Sequence, residues 1–509
     1  MAFHWIDATA FVAFVVAVIA ISLFASREQR TAEGYFLAGR GLGWGLIGFS
    51  LLASNISTEH FVGMAGAGYG AAGLAIAAWE YAAAIALVAV AIWLLPVFLR
   101  LGIFTMPEFL EHRYGPAARS LMTFYLMTAY IGVLLASILY SGALALQTLF
   151  GVPLVAGIWA IGGVAGLYTV YGGLKAVVWS DLLQGATLLA GGAMVFFLGL
   201  SRVGGWTSFV EANRERLHLI QPADHPTMPW TVLLLGIWIP SFYYWGCNQF
   251  ITQRTLAARS LAEGQRGILF AAALKLLIPI LVVLPGIMAY QLFRDRIVHG
   301  DQAYAVLIAE IVPLGLRGIL LAALFGAILS SLDSLLNSSA TLYTMDVHRR
   351  FVRPDATTAQ LVRTGRWATS VFVLLGCLVA PLPGKFEGVF FYMKMVMGFI
   401  SPGIVTVFLG GLLLRRAPLR AAIAVMLLGI PLYGAMLALL PGWAFLNQMA
   451  LTFLILASVM GLMTAWRPLP EPAHLPVLCH SIDLTPWRHT RWLGALVVVV
   501  VVAIYVAFR

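Results

Sequence analysis

The chain has 509 residues, of which 61% are hydrophobic and 10% charged, and its mean hydropathy is +0.92. A soluble domain cannot hide that much apolar surface, because the buried fraction grows only slowly with chain length, so lipid must be the solvent for most of the chain. The net charge of +10 would suit a polyanion, but its distribution reports membrane orientation and argues against a nucleic-acid partner.

Each spanning helix needs ~20 mostly apolar residues. About fourteen such stretches can be read, at roughly 8–25, 42–65, 74–99, 118–147, 152–170, 177–200, 229–253, 266–292, 315–345, 367–382, 388–414, 419–439, 443–465 and 491–508. Ten-residue alternating segments, the mark of a β-barrel, are missing, so the expected class is an all-α polytopic membrane protein. The first stretch is preceded by His4 and Asp7 rather than by Lys or Arg, which predicts a retained helix and not a cleaved signal. The polar stretches 201–228, 293–314, 346–366 and 466–490 are short loops. With the N-terminus outside, the inner loops hold Arg27, Arg30 and Arg40; Arg100, Arg113 and Arg119; Arg254, Arg259 and Arg266; Arg349, Arg350, Arg353, Arg363 and Arg366; and Arg415, Arg416 and Arg420. Roughly 21 of the 31 Lys and Arg then fall inside, the bias of a multi-pass inner-membrane protein. Cys247, Cys377 and Cys479 are too few and too scattered for a disulfide framework or metal cluster, and read as packing residues.

Two stretches are interrupted in a comparable way. The second carries Ser54-Asn55-Ile56-Ser57-Thr58-Glu59-His60, then Gly63, Gly66, Gly68 and Gly70; the seventh carries Pro240-Ser241, then Tyr243-Tyr244-Trp245-Gly246-Cys247-Asn248-Gln249. They open two successive groups of five helices, 42–200 and 229–414. Polar, Gly-broken segments at matching places in two halves are the trace of an inverted-repeat transporter. Backbone freed by a break survives at membrane depth only beside protein or a polar cavity. The expected organisation is one transporter domain over 1–509, with an extra helix at 8–25 and accessory helices over 419–508.

Charges inside a membrane are costly enough that each is a functional suspect. Here they are Glu59, Glu80, Asp181, Lys275, Asp333 and Lys394. Glu80 and Lys275 lie near mid-helix and can neutralise each other beside a polar ligand. Asp181 sits near the inner end of its helix, where an interfacial structural role fits as well. In Ala327-Ile328-Leu329-Ser330-Ser331-Leu332-Asp333-Ser334, one broad helix face carries Ala327, Ser330, Ser331 and Ser334, with Asp333 three residues after Ser330. Hydroxyls and freed carbonyls suit a hard monovalent cation, although small residues also serve tight helix crossings. Metalloprotease, nucleophile-elbow and phosphate-loop motifs are missing from the sequence, which predicts neither an enzyme nor an ATP-driven pump.

Tyr35-Phe36-Leu37-Ala38-Gly39-Arg40, Ala53-Ser54-Asn55-Ile56 with Glu59-His60-Phe61, Gly172-Gly173-Leu174-Lys175-Ala176-Val177 with Trp179, Asp181 and Gln184, Tyr243-Tyr244-Trp245-Gly246 with Gln249, Gln253-Arg254-Thr255-Leu256-Ala257-Ala258, and Ser330-Ser331-Leu332 through Asn337-Ser338 and Thr344-Met345-Asp346 follow in order along nearly the whole chain. Together they resemble the sodium/solute symporters, especially the bacterial sodium/galactose and animal sodium/glucose cotransporters. The resemblance implies a LeuT-like core of ten helices in a 5+5 inverted repeat. It implies a sodium site from the carbonyls of Ala53, Ile56 and Ala327 and the hydroxyls of Ser330 and Ser331, and a second sodium near Asp181, Asp333 and Ser334. It further implies a sugar site of Asn55, His60, Glu80, Ser241, Tyr244, Lys275 and Lys394, gated by Met64, Trp79, Phe390, Tyr244 and Trp245. Ala83 and Ser241 stand where the sodium/galactose proteins carry polar sugar contacts, and Lys394 where they carry a Gln. The expected activity is sodium-coupled symport, across a lipid bilayer, of a neutral monosaccharide such as a glucose- or galactose-like hexose or polyol. The alternatives are an acidic sugar, uronate or sialate-like, held by Lys394, and a sensor or channel-like homologue.

Overall fold

The computed structural model describes residues 4–25, 31–57, 59–382, 389–479 and 481–509. Among these the secondary structure is helical, with three isolated β-bridges and no strand. Among the described residues, eleven helices are long and apolar enough to cross a membrane. The remaining three of the fourteen predicted stretches are the two interrupted segments and the shorter apolar helix Leu154–Leu167, so helix length alone does not fix a count of fourteen.

Eight helices frame the interior: α1 (Trp5–Ala25), α2 (Trp44–Asn55), α3 (Ala78–Ala89), α4 (Leu154–Arg202), α5 (Leu261–Ile278), α6 (Leu316–Leu342), α7 (Thr358–Val379) and α8 (Val389–Met397). α2 lies against α4 on one side and α5 on the other, α3 packs on α5, and α6 crosses α4. The Glu263 carboxylate accepts from the Trp44 N–H at 2.8 Å, satisfying an orphan donor at the start of α2 and tying it to α5.

Both expected interruptions are observed. α2 stops at Asn55, Ile56 is extended (φ −75°, ψ 113°), and helix resumes over Glu59–Met64 and Ala65–Tyr69. A helix that ends leaves its last carbonyls without i+4 donors. The Ser57 N–H, which would have served Ala53, lies 3.5 Å from the His60 Nδ1, and the Glu59 N–H, which would have served Asn55, goes to the Ser57 Oγ. The second interruption runs through Trp238–Phe242 and Tyr243–Cys247 to an extended Asn248 (φ −91°, ψ 121°) before Gln249–Leu256. The resumed first helix approaches its neighbour backbone to backbone: a Cβ on Gly286 would lie 2.1 Å from the Ala65 carbonyl oxygen, so only glycine fits there.

A third break falls where the sequence predicts two separate helices, 152–170 and 177–200. The helical stretch α4 covers both, and Gly173, whose φ of 55° and ψ of −158° leave the helical region, divides it into the two helices the sequence predicts. The Tyr35 hydroxyl donates toward the freed carbonyls of Thr169 (3.4 Å) and Val170 (3.1 Å), which gives the aromatic of the Tyr35–Arg40 motif a structural task.

Two polar clusters hold the ends of the bundle. Asp7, 2% exposed, accepts from the N–H groups of Gly315 (2.8 Å) and Gly318 (3.0 Å), so its charge sits at the positive end of α6. At the other end Arg119 binds Glu108 (2.9 Å), Glu111 (2.5 Å) and Asp346, and Asp346 also accepts from Thr105 and Thr123. That cluster joins the Met106–Tyr114 helix to the segment that follows α6.

Candidate functional site

The α2 break, α3, the second interruption, α5 and α8 enclose a cavity of about 80 Å³. All seven residues expected to contact cargo line it: Asn55, His60, Glu80, Ser241, Tyr244, Lys275 and Lys394. Of the expected gates, Met64, Trp79, Tyr244 and Trp245 line it too, while the Phe390 side chain lies outside the described residues. Pockets that hold drug-sized ligands span ~300–1,000 Å³, so admitting a hexose requires these walls to move.

The cavity is polar but its charges are paired. The Lys275 ammonium, fully buried, donates to Glu80 at 2.6 Å and to the Asn55 carbonyl oxygen. Glu80's other oxygen lies 3.2 Å from the His60 Nε2, and the Asn55 amide donates to the Tyr244 hydroxyl at 3.0 Å. The Trp245 ring faces Lys275, with its centroid 5.3 Å from the ammonium. The expected Glu80–Lys275 pair is therefore present. Lys394 pairs with Glu59 at 3.2 Å, and its ammonium lies 5.6 Å and 5.8 Å from the ring centroids of Trp79 and Tyr244. Glu59 is the cavity residue that the sequence marks as an intramembrane charge without giving its partner. Ser241 spends its donor on the Ile237 carbonyl of its own helix at 2.8 Å, which leaves only lone pairs toward the cavity.

The expected cation ligands lie on α2 and its break and on α6. Ala53, Ile56, Ala327, Ser330 and Ser331 are all buried, and Ser54 and Ser331 line the same cavity as the cargo residues. The Ser331 hydroxyl donates to the Ser54 carbonyl at 3.2 Å. Ser330 donates to Asp181 at 2.5 Å, and Ser50 (2.5 Å) and Ser54 (3.1 Å) donate to the other Asp181 oxygen. Asp181 is therefore a fully buried hub, and the interfacial reading of this residue is corrected. A carboxylate at an interface would take its donors from water, whereas this one takes them from three serines of two other helices. Arg254 completes the hub: its guanidinium lies 3.7 Å from Asp181 and donates to Ser50 at 2.6 Å and to Ser334. Asp333 lies one turn along α6 and accepts from Thr169 at 2.8 Å, beside the Gly173 bend. Sequence reading missed Ser50 and the reach of Arg254. The signal for both was present: a serine four residues before Ser54 on α2, and an arginine within the Gln253–Ala258 motif.

Comparison with known proteins bears on this arrangement. Residues 35–429 match the model of the sodium:solute symporter family. The chain is 39% identical over 489 residues to a sodium/glucose cotransporter of Vibrio parahaemolyticus, covering 90% of each chain. The chain belongs to the sodium:solute symporter family. A sodium/myo-inositol cotransporter 2 of Sus scrofa is 32% identical over 464 residues, covering 83% of this chain and 68% of that protein. A Na+-coupled sialic acid symporter, solved in a substrate-bound outward-open state, superposes with a TM-score of 0.82 at 22% identity, covering 93% of this chain and all of that one; it shows the shared fold.

The symporter is thus a multi-pass membrane protein with the LeuT-like fold expected from its sequence, and a transporter rather than an enzyme. Its activity is sodium-coupled symport of a solute, with sodium as the co-transported ion.

Proposed function

We propose that this symporter carries a neutral monosaccharide or polyol together with sodium into the cell, by alternating access around the cavity at the α2 break. One observation carries the reading: both lysines of the cavity are already matched by the chain's own carboxylates, Lys275 by Glu80 and Lys394 by Glu59. What such a cavity offers an incoming molecule is a set of donors and acceptors, the chemistry that reads hydroxyl groups, with the Tyr244 ring as a face for a pyranose. Relatives named for glucose and myo-inositol agree with it. An acidic sugar is the weaker alternative, since its carboxylate would have to compete with Glu59 for Lys394.

In this reading sodium is held by the carbonyls of Ala53, Ile56 and Ala327 and the hydroxyls of Ser330 and Ser331. Asp181, Asp333 and Ser334 form a second cation position. Asn55, His60, Glu80, Ser241, Tyr244, Lys275 and Lys394 contact the cargo, and Met64, Trp79, Phe390, Tyr244 and Trp245 close over it. The five-helix groups 42–200 and 229–414 are the two repeats that rock against each other, flanked by the extra helix at 8–25 and the accessory helices over 419–508. The arginine distribution supports an N-terminus outside, and the reading sets the protein in the inner membrane. Because Asn55 adjoins Ile56, a cation that orders the α2 break also orders the cargo residue beside it, and the coupling is reciprocal.

The test is uptake of labelled neutral hexoses, inositols and uronates into proteoliposomes, with a sodium gradient and with choline in its place. Accumulation of a neutral sugar above its external concentration, only with sodium, is expected. Accumulation of uronates alone refutes the neutral-cargo reading, and equilibration without accumulation refutes symport in favour of a channel.

A further inference from the structure

Away from the transport cavity, the segment that follows α6 and the start of α7 enclose a second cavity of about 530 Å³. His348, Arg353 and Arg363 line it together with Trp367 and Val371. Most of the arginines near this end of the bundle are engaged. Arg119 holds three carboxylates, Arg350 pairs with Glu111, Arg113 donates to three carbonyls, and Arg366 lies over the Tyr171 ring. Arg353 and Arg363 are exposed, and among the described residues no carboxylate, carbonyl or ring engages either guanidinium. Asp355, the acid of the same loop, pairs with neither.

The apolar side of this cavity continues along α7. Arg363, Trp367, Val371, Leu374 and Leu378 follow one another at steps of four, four, three and four residues, one stripe of a helix. The stripe is exposed, Trp367 at 65%, Val371 at 45%, Leu374 at 52% and Leu378 at 65%, as expected of a surface that meets lipid. From Trp367 to Leu378 it rises about 16 Å at ~1.5 Å per residue, close to the ~15 Å depth of one leaflet's hydrocarbon. Tryptophan at the top of such a stripe marks the headgroup boundary.

We infer that this cavity binds an anionic phospholipid, its phosphate held between Arg353 and Arg363 with His348 beside them, and its acyl chains laid along the Trp367–Leu378 stripe. Charge selects the headgroup: two unengaged guanidiniums at the membrane edge complement a phosphodiester and a second anionic or hydroxyl-bearing group. The length of the stripe selects a lipid over a free phosphate, because a soluble anion would leave that apolar surface without a contact. The inference is independent of which cargo the symporter carries.

The test uses the purified full-length protein, delipidated in a neutral detergent and titrated with dioleoyl phosphatidylglycerol or dioleoyl phosphatidylcholine, with retained lipid counted by native mass spectrometry. The wild type is expected to retain phosphatidylglycerol about thirtyfold more tightly than phosphatidylcholine, the increment of two arginines near a lipid surface. R353Q/R363Q is expected to bind both lipids equally, with its melting temperature in lipid-free detergent unchanged. R415Q/R416Q, which removes the same charge from an exposed loop outside the cavity, is expected to keep the wild-type preference. Equal retention of the two lipids by the wild type overturns the inference, as does a preference that survives R353Q/R363Q or is lost equally in R415Q/R416Q. Displacement of the bound lipid by millimolar glycerol phosphate overturns the lipid assignment in favour of a plain anion site.

Discussion

The two sides of the α2 break are built on opposite electrostatic plans. Toward α6, the cluster around Ser331 gathers backbone carbonyls and hydroxyls, and its carboxylate, Asp181, is saturated by serines and neighboured by Arg254. Toward α3 and α8, the cavity holds four full charges, yet each lysine has a carboxylate opposite. The Asp181–Arg254 pair offsets its own charge, so the hydroxyls around Ser331 present lone pairs to an arriving monovalent cation, whereas the cavity's two matched pairs present hydrogen-bonding groups to an arriving neutral polar molecule. In the proposed reading, this contrast gives the net charge of a transport cycle to the ion and hydrogen-bond recognition to the cargo.

Removing one partner of the deepest pair should break this contrast most severely. Lys275→Ala leaves Glu80 buried with His60 alone, and an uncompensated buried charge costs ~3–5 kcal/mol. Uptake should vanish and the melting temperature should fall. Adding Glu80→Ala should recover most of the melting temperature without recovering uptake; if the double variant melts as low as the single one, the pair is not what the lysine serves.

On the other side of the break the effect should be confined to the ion. Ser331→Ala should raise the sodium concentration for half-maximal uptake roughly five- to tenfold, the worth of one hydroxyl contact, with the melting temperature unchanged. An unaltered sodium dependence would remove Ser331 from the cation site.

Stoichiometry sharpens the contrast further. Asp333→Ala should lower the Hill coefficient of the sodium dependence toward one if Asp181, Asp333 and Ser334 hold a second cation. A wild-type curve that is already hyperbolic rules that position out.

The smallest effect belongs to the outer pair. The side chains of Glu59 and Lys394 are 14% and 22% exposed, and a partly hydrated pair is worth at most ~1 kcal/mol. Lys394→Gln should therefore change the KM for a neutral hexose by less than about fivefold, since glutamine keeps a donor and an acceptor. A complete loss of hexose uptake would show that the contact with the sugar needs the ammonium's charge, which glutamine cannot supply.

Much of this was legible in the sequence because lipid imposes its rule locally. A span must be apolar over its own length, so eleven helices stand out by composition, and the breaks at Asn55 and Asn248 announce themselves as polar, glycine-flanked interruptions. What was not legible depends on pairing between distant residues. Lys394 meets Glu59 across 335 positions, and nothing in the neighbourhood of either residue specifies the other. The role of Asp181 stayed open between interfacial and functional for the same reason, since its donors come from α2 and α6 rather than from its own helix. Gly173 is legible too: its positive φ divides α4 where the sequence predicts two helices, and what the sequence does not give is the Tyr35 hydroxyl that serves the carbonyls freed there.

The carboxylate of Asp7 has a consequence for how the protein is made. It lies in α1, but its donors at Gly315 and Gly318 are 308 and 311 residues later. At a synthesis rate of ~5–20 residues per second, that interval is roughly 15–60 s. During it, a charged group bound for burial has no native partner, so α1 must wait at the headgroup boundary, or beside the insertion machinery, and dock only after the N-terminus of α6 has been delivered. α1 is therefore made well before α6 but locked only after it.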